Sequence, residues 1–436
     1  MKLQYHIDKI FWTGADKLLY VIYGFVFLIQ ISLLSPDDLG LFGLLISINT
    51  WIFVISDSFS LQMIIQFGFN ENLERKANLL AAVFHILIVM GISLLIMLSG
   101  DFFKYIFNEP RFIEITNILP ILSLLMLPRT YFAKFLLKEH KISLIFLSDF
   151  FFLIPMSVFI VYFKMTNEPI SLSNAVNIYF AGTALSSFIT IVLSIKRVKI
   201  GFTGNLKLKD VFRFTVPFTL TNAIITFPRQ LDTLILKLFF DLHSIGIYQA
   251  AKSLFRFFEE GVNGANSLIY PAAVRHFENK SINELHSIIS KALSYLIIIY
   301  FVGSVILLSG LTDFAVKLLM KEIYISSVSY FNLLLISSVF IPFVILNFII
   351  TASGNHYALL KNVSISIVFS LIFMVIIGIM KIEVLMPAGY IVFFIVLAIT
   401  NFNYMNKKLI KINFKELFRA IPDSRYFLGE LFKKHL

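Results

Sequence analysis

The chain has 436 residues, of which 58% are hydrophobic and 49 are Phe, and its formal net charge is +11. Its mean hydropathy of +0.85 exceeds what a soluble domain of this length can bury, so the composition predicts an integral membrane protein. The absence of cysteine excludes disulfides, thiolate metal sites and thiol catalysis.

Twelve membrane spans are predicted from the length of the apolar runs. A hydrocarbon core about 30 Å thick requires about 20 apolar residues per crossing helix. Turn-forming residues such as Ser35-Pro36-Asp37-Asp38 and Asn108-Glu109-Pro110 separate the runs. The predicted spans are residues 10–32, 39–66, 77–98, 112–138, 142–163, 173–195, 210–238, 245–271, 287–309, 326–352, 358–380 and 386–404.

Lys and Arg are distributed unequally between the two sides of the predicted membrane. The amino terminus, the even-numbered connections and the carboxyl tail, counted together with the span ends that adjoin them, carry 24 of them, whereas the odd-numbered connections counted in the same way carry 7. Because cytoplasmic loops are enriched in Lys and Arg, both termini are predicted to be cytoplasmic. The same asymmetry accounts for the net charge, so no nucleic-acid partner is expected.

The two halves of the chain repeat each other. Residues 33–42 and residues 239–248, 206 positions later, share an apolar pair, a four-residue polar turn and an apolar-Gly-apolar-aromatic restart. Six spans per repeat give both repeats the same orientation, related by an axis along the membrane normal. The predicted fold is therefore an all-α integral membrane protein, with about twelve transmembrane helices in two parallel-repeat six-helix bundles around a central cavity.

This repeat predicts four domains. Residues 1–195 form the first six-helix bundle, residues 196–213 a basic cytoplasmic linker, and residues 214–404 the second bundle. Residues 405–436 mix basic and apolar side chains at helical spacing, which is typical of an amphipathic helix on an anionic inner leaflet.

Charged and amide side chains are concentrated in the seventh and eighth spans. Such groups cost roughly 2.5–3.5 kcal/mol each at membrane depth, so they are expected to face a cavity or one another. On the eighth span they recur every three or four residues, which places them on one helical face. The group consists of Asn222, Arg229, Asp232, Lys252, Arg256, Glu259, Glu260 and Asn263.

The cations among these residues have two interpretations. Arg229 and Arg256 are predicted at similar depth, and two guanidiniums can hold a phosphate bidentately. Lys252 of the eighth span, with Lys17 and Arg129 of the first half, completes the set of predicted substrate-binding cations. The alternative is ion pairing, of Arg256 with Glu259 or Glu260 and of Lys252 with Asp232.

Buried carboxylates are the candidates for ion coupling. Desolvation favours the neutral form of a carboxylate, which suits a site that binds and releases a proton. Asp57 is the first candidate, because its repeat mate is the neutral Asn263. The other candidates are Glu260, Asp232 and Asp16, although Asp16 can instead neutralise its neighbour Lys17.

The repeat also resembles a known family. The six-span duplication, the sequence Ile245-Gly246-Ile247-Tyr248-Gln249-Ala250-Ala251 and Asp232 on a helix with Pro228 resemble the polysaccharide exporters of the multidrug/oligosaccharidyl-lipid/polysaccharide (MOP) superfamily, in particular O-antigen-type flippases. The resemblance implies transfer of an undecaprenyl-pyrophosphate-linked oligosaccharide to the outer leaflet of a bacterial cytoplasmic membrane by alternating access, through a cationic lumen. H⁺ or Na⁺ as coupling ion, and a polysaccharide polymerase as partner, are compatible with it. One departure is that anions are as numerous as cations within the spans.

Two other functions fit the same sequence. One is a multidrug or metabolite cation antiporter of the same architecture, and the other is a membrane polysaccharide polymerase or ligase. A polymerase or ligase should carry a large outer domain, whereas no outer connection here exceeds about 17 residues. The sequence contains no Gly-rich phosphate loop, and its His residues lack metal-ligand spacing. We therefore expect no enzymatic activity, cofactor or metal.

Overall fold

The computed structural model describes residues 3–230 and 232–412, with side chains at all of these positions except 3–10, 13, 221, 225, 227–229, 267–268 and 278. Within these ranges the regular structure is helical, and no strand occurs. We label the twelve long helices α1 (Leu3–Leu33), α2 (Pro36–Gln66), α3 (Glu71–Leu98), α4 (Phe112–Lys138), α5 (Ile142–Thr166), α6 (Leu172–Ser194), α7 (Leu208–Gln230 and Asp232–Lys237), α8 (Leu242–Glu278), α9 (Ile282–Ile306), α10 (Ser327–Ser338 and Ile341–Ala352), α11 (His356–Met380) and α12 (Ala388–Tyr404).

These helices correspond one to one with the predicted spans. In the described part of the chain, nine helices are long and apolar enough to cross a membrane, and the bent α10 makes ten. The other two, α7 and α8, contain the concentrated charged and amide residues, which lower their apolarity. The predicted all-α membrane fold is therefore confirmed. The predicted amphipathic tail lies mostly outside the described residues, which end at position 412.

The internal repeat is visible in the minor elements. A short helix, Gly100–Phe107, follows α3, and its counterpart Thr312–Leu319 follows α9 after a π-helical turn. The α10 helix bends by 53° between its two segments, where Pro342 has no backbone N–H to donate to the helix.

The chain divides into two compact units. Unit 1 comprises residues 1–250 with 319–324, and unit 2 comprises residues 251–318 with 325–436. The division falls within α8, after Ala250. The predicted domain boundaries at residues 195, 213 and 404 remain predictions.

In unit 1 the predicted basic linker is packed against the helices. Leu206 and Val211 are buried in one hydrophobic cluster with Leu61, Ala81 and Phe135. The linker backbone also hydrogen-bonds to α3, because Asn78 Nδ2 donates to Lys199 O at 2.9 Å. Burial of its apolar residues thus holds this segment on the ends of α2, α3 and α4.

The two repeated polar turns both cap helices. Ser35 Oγ accepts the Asp38 N–H at 3.2 Å at the start of α2, and Asp241 Oδ1 accepts the Ser244 N–H at 2.8 Å at the start of α8. Partial burial raises the pKa of Asp241, but the hydrogen bonds from Ser244 outweigh it and hold this pKa below its ordinary value. Asp241 therefore caps the amino-terminal end of α8.

The same turns bring two repeat-related glycines into reciprocal backbone contact. A Cβ atom on Gly40 of α2 would lie 2.6 Å from the carbonyl oxygen of Leu242, and a Cβ atom on Gly246 of α8 would collide with the carbonyl oxygen of Pro36. Gly40 and Gly246 are equivalent positions 206 residues apart, and so are Pro36 and Leu242. The contact therefore repeats itself about a local two-fold axis. Close approach of α2 and α8 in unit 1 therefore requires glycine at both positions.

Gly246→Ala is expected to destabilise the protein. The added methyl group overlaps backbone atoms, which cannot rotate away as a side chain can, so we expect a loss of about 1–3 kcal/mol. Thermal unfolding of the purified protein in detergent measures this loss. Gly91→Ala in α3 is the matched control, because a Cβ there meets no atom within 4 Å. Equal melting temperatures for the two variants would contradict the glycine requirement.

Candidate functional site: charged groups within the two units

In unit 1, Arg129 is neutralised by a carboxylate from the neighbouring helix. Its Nη2 lies 2.5 Å from Asp149 Oδ1, and its guanidinium carbon lies 4.7 Å from the centroid of the Phe152 ring. The second oxygen of Asp149 accepts a hydrogen bond from the hydroxyl of Tyr20 at 2.9 Å. The predicted substrate-binding residue Arg129 is thus part of a cluster that joins α1, α4 and α5.

Asp16 and Lys17 lie on α1 beside this cluster. Asp16 interacts electrostatically with Asp149, Lys17 and Arg129, and one of its carboxylate oxygens is buried without a hydrogen bond. Lys17 is exposed, and its Nζ lies 5.6 Å from the centroid of the Tyr20 ring. Two carboxylates and two cations therefore share one region, in which the charges balance.

Asp57 occupies an irregular turn of α2. Residues Asp57–Leu61 form a π-helical turn, an element found frequently at functional sites. One carboxylate oxygen of Asp57 lies 2.7 Å from Lys134 Nζ on α4, and the other accepts a hydrogen bond from Gln62 Nε2 at 3.0 Å. The side chain of Asp57 is 34% exposed, so this ion pair remains in contact with the surroundings.

Hydrogen bonds on both sides of α2 hold this π-helical turn. His85 of α3 is fully buried, with its Nδ1 at 2.6 Å from Ser56 Oγ and its Nε2 at 2.8 Å from Thr130 Oγ1 on α4. On another side, Asn222 Nδ2 of α7 donates to Ser58 Oγ at 3.0 Å. The turn is therefore tied to α3, α4 and α7.

Asp232 has a different environment from the other predicted coupling residues. It is completely buried in α7, where one oxygen accepts the Thr233 N–H at 2.8 Å and the other accepts the hydroxyl of Tyr248 at 2.8 Å. These bonds satisfy both oxygens, so Asp232 joins α7 to the beginning of α8.

In unit 2, the polar face of α8 meets Tyr390 of α12. The Nζ of Lys252 lies 5.7 Å from the centroid of the Tyr390 ring, and the hydroxyl of the same tyrosine donates a hydrogen bond to Glu259 Oε1. Tyr390 is itself buried, being 2% exposed. A neutral aromatic side chain therefore contacts a cation and an anion of α8 at the same time.

Arg256 differs from Lys252 of the same helix. Its side chain is exposed, and within residues 3–230 and 232–412 it has no hydrogen-bond or ion-pair partner. Glu260, one turn further along, is also exposed. The predicted pairing of Arg256 with Glu259 or Glu260 does not occur in this structure. The side chain of Arg229, the other predicted phosphate ligand, lies outside the described residues.

Unit 2 also contains an apolar cavity of about 500 Å³. It lies between α9, the bend of α10 and α12, and its polar lining is limited to Ser294 and Asn403. Such a lining suits hydrocarbon and not a charged or sugar-bearing group. No cluster of three metal-ligating side chains occurs among the described residues.

Reasoning from the sequence missed several partners of the predicted residues. Lys134 was missed because it lies one turn from the end of its span that is predicted to be cytoplasmic, where Lys is expected for topology alone. Tyr20 and Tyr390 were missed because a lone tyrosine in an apolar span has no distinctive spacing. His85 carried the best available signal, an ionisable side chain in the middle of an otherwise apolar span.

Comparison with known proteins gives a family match and several similar folds. Residues 7–277 match the family model described as "Polysaccharide biosynthesis protein", and no curated protein matches the chain. An inward-facing multidrug resistance MATE family transporter of the MOP superfamily is 13% identical, with a TM-score of 0.70 over 92% of this chain and 98% of that one. The lipid II flippase MurJ is 13% identical, with a TM-score of 0.66 over 99% and 93%.

A third similar structure is a MOP superfamily transporter from Pyrococcus furiosus. It is 14% identical, with a TM-score of 0.60 over 91% of this chain and 93% of that one. At these identities the structural matches establish the shared fold and leave the substrate undetermined.

Removing one partner of the Arg129–Asp149 pair should destabilise unit 1. Arg129→Gln leaves Asp149 buried and unpaired, which typically costs about 3–5 kcal/mol, whereas the double variant Arg129→Gln/Asp149→Asn leaves no charge and should recover most of that loss. Thermal unfolding in detergent checks both.

The matched control is Arg111→Gln, which breaks a pair with Asp38 at the same 2.5 Å distance but with 38% of the arginine side chain exposed. Exposed pairs contribute at most about 1 kcal/mol, so this variant should unfold near the wild-type temperature. A larger loss for Arg111→Gln than for Arg129→Gln would contradict the assignment.

Proposed function

Because the chain belongs to the polysaccharide biosynthesis protein family, we propose that it translocates a polyprenyl-pyrophosphate-linked oligosaccharide, of the O-antigen type or another polysaccharide repeat unit. Transfer runs from the cytoplasmic to the outer leaflet of a bacterial cytoplasmic membrane, by alternating access. Both termini are cytoplasmic, and the chain transports without catalysing a reaction. The family match and the flippase and MOP transporter folds support the broader class, a lipid-linked flippase or a MOP transporter.

The observation that carries this proposal is that Arg256 has no hydrogen-bond or ion-pair partner among the described residues. A guanidinium within a membrane-crossing helix costs several kcal/mol unless a partner or water compensates it. The other described cations of the proposed site are compensated, Arg129 by Asp149 and Lys252 by the ring of Tyr390. A pyrophosphate is a fitting partner for Arg256, because its oxygens match the planar fork of the guanidinium.

The exposed face of α8 provides two cations for such a group. Lys252 precedes Arg256 by one helical turn, about 6 Å along the axis, so both can reach one pyrophosphate. Arg229 is the proposed third ligand. Lys17 and Arg129 are proposed to receive the sugar-phosphate part in unit 1, and the apolar cavity of unit 2 offers hydrocarbon contact to a lipid chain.

Coupling to H⁺ or Na⁺ is proposed to use Asp57. Its ion pair with Lys134 is partly exposed and lies in a π-helical turn, so a cation that competes with Lys134 can alter the local geometry of α2. Asp16 is the second proposed coupling residue, since it has one unsatisfied oxygen next to Asp149. Glu260, which is exposed, and Asp232, which is satisfied by Tyr248 and Thr233, rank lower.

A multidrug or metabolite cation antiporter is the second candidate function. The fold similarity to a multidrug resistance transporter favours it. An antiporter of organic cations requires an anionic site, and α8 exposes the anion Glu260 as well as the cation Arg256, so it is the family match that favours the flippase. A polysaccharide polymerase partner is proposed as well, since exported repeat units must be joined outside the cell.

We expect export to require Arg256 and, in particular, the bidentate geometry of its guanidinium group. Hydrogen bonds to charged groups contribute about 1.5–3 kcal/mol, so Arg256→Ala should reduce surface glycan export by roughly 10-fold to 100-fold, and Arg256→Lys should reduce it less. Export is measured as surface glycan at equal membrane levels of the protein.

Arg275→Ala, at the far end of the same helix, is the control and should export normally. Adding Glu260→Gln to Arg256→Gln should not restore export, since the two side chains are not paired. Restoration by this double variant, or normal export by Arg256→Ala, would remove Arg256 from substrate binding.

Asp57→Asn should impair ion-coupled transport without impairing substrate binding. The substitution keeps the hydrogen bond to Gln62 but removes the charge that pairs with Lys134, so gradient-driven transport in reconstituted vesicles should fall by about 10-fold or more. Binding of undecaprenyl pyrophosphate should change by less than about twofold, because the substitution removes none of the cations proposed to bind the phosphate.

The charged-pair control for this variant is Glu114→Gln, which removes an exposed partner of Arg111. It should leave gradient-driven transport unchanged. If Asp57→Asn transports at the wild-type rate under an H⁺ gradient and under a Na⁺ gradient, another carboxylate performs the coupling.

A further inference from the structure

The structure assigns a role to a residue outside the predicted site. We propose that Tyr390 is a positioning residue that transmits the charge state of Lys252 to Glu259, so that an anion bound at Lys252 alters how firmly Glu259 is held. This inference rests on the proposed function, because the anion is the pyrophosphate of the translocated lipid.

Tyr390 is held in one orientation by neighbouring rings. Its ring centroid lies 6.0 Å from that of Phe255 on α8 and 4.9 Å from that of Phe394 on α12, both at steep interplanar angles. The side chain is 2% exposed, so it has little freedom to rotate. The positions of its ring face and of its hydroxyl are therefore fixed relative to α8.

The two charged partners contact different parts of the same phenol. The Lys252 ammonium lies 5.7 Å from the ring centroid, within the range of a cation–π interaction, and the hydroxyl donates to the Glu259 carboxylate. Lys252 and Glu259 are seven residues apart on one helix, about 10 Å along the axis, which is too far for a direct ion pair. Tyr390 spans that distance.

Electron density in the phenol provides the physical link. A cation over the ring draws density from it, which makes the hydroxyl a stronger donor to a carboxylate. When a phosphate draws Lys252 away from the ring, this assistance is lost and the hydrogen bond to Glu259 weakens. Anion binding at Lys252 therefore favours release of the Glu259 side chain.

Other described ionisable groups near Glu259 lie on α8 and α9. On α8 itself these are Arg256 and Glu260, both of which are exposed. From α9, the hydroxyl of Tyr300 donates to the backbone carbonyl of Phe258 at 2.6 Å and not to a carboxylate. Tyr300 thus supplies a matched control, a buried hydroxyl one residue away from Glu259 with a different acceptor.

The link can be tested in the absence of substrate by difference infrared spectroscopy of the purified protein. The carboxyl bands of Glu259 are identified by their loss in Glu259→Gln. We expect Lys252→Gln to shift these bands in the wild-type background and in Tyr300→Phe, and to leave the corresponding bands in place in Tyr390→Phe. No shift in the wild-type background, or the same shift in Tyr390→Phe, overturns the proposed link.

Binding of undecaprenyl pyrophosphate in nanodiscs tests its functional use. The affinity of the double variant should differ by about fivefold from the affinity expected if the effects of Lys252→Gln and Glu259→Gln were independent. A coupling of this size is typical of residues that share a contact. In the Tyr390→Phe background, the effects of Lys252→Gln and Glu259→Gln on the affinity should be independent of each other. Independent effects in the wild-type background overturn the coupling to ligand.

The two measurements also separate failure of this inference from failure of the proposed function. A wild-type protein that does not bind undecaprenyl pyrophosphate contradicts the proposed function, and the infrared result still decides whether Tyr390 links the two charges. Normal binding combined with infrared bands that ignore Lys252 contradicts the role of Tyr390 alone.

Discussion

The cost of placing charge in a low-dielectric environment shapes most of this structure. In unit 1, ion pairs compensate this cost, since Arg129 lies against Asp149 and Lys134 lies against Asp57. Each pair joins two helices, α4 to α5 in one case and α4 to α2 in the other, so the charges that are expensive individually also help to hold these helices together. Arg256 has no such partner among the described residues, which is why we propose it as a ligand of the substrate.

Tyrosines complement these pairs in both units. The hydroxyl of Tyr20 donates to Asp149, that of Tyr248 to Asp232, and that of Tyr390 to Glu259. A phenol can satisfy a carboxylate without adding charge and can pack its ring among apolar neighbours. Hydrogen bonds of this kind help to retain carboxylates inside the helices.

The repeat has a physical consequence beyond symmetry. Because Gly40 and Gly246 occupy equivalent positions, each helix presents a bare backbone to the carbonyl of the other. A single sequence feature, duplicated, thus creates a self-complementary contact between α2 and α8. The charged residues are not duplicated in the same manner, since Asp57 has Asn263 as its mate. The packing of α2 against α8 follows the repeat, whereas the charged residues depart from it.

The sequence alone determined the class of protein, the number and approximate limits of the helices, the repeat and the turns between helices, because apolar run length, residue spacing and turn chemistry are local properties. It also identified Arg256 and Asp57 as residues of interest, since a charge in an apolar span is visible without a structure. Which charges are paired was decided only by the tertiary structure. Lys134, Tyr20 and Tyr390 lie on other helices from their partners, and the direction of a side chain toward a neighbouring helix depends on packing, which residue spacing does not encode.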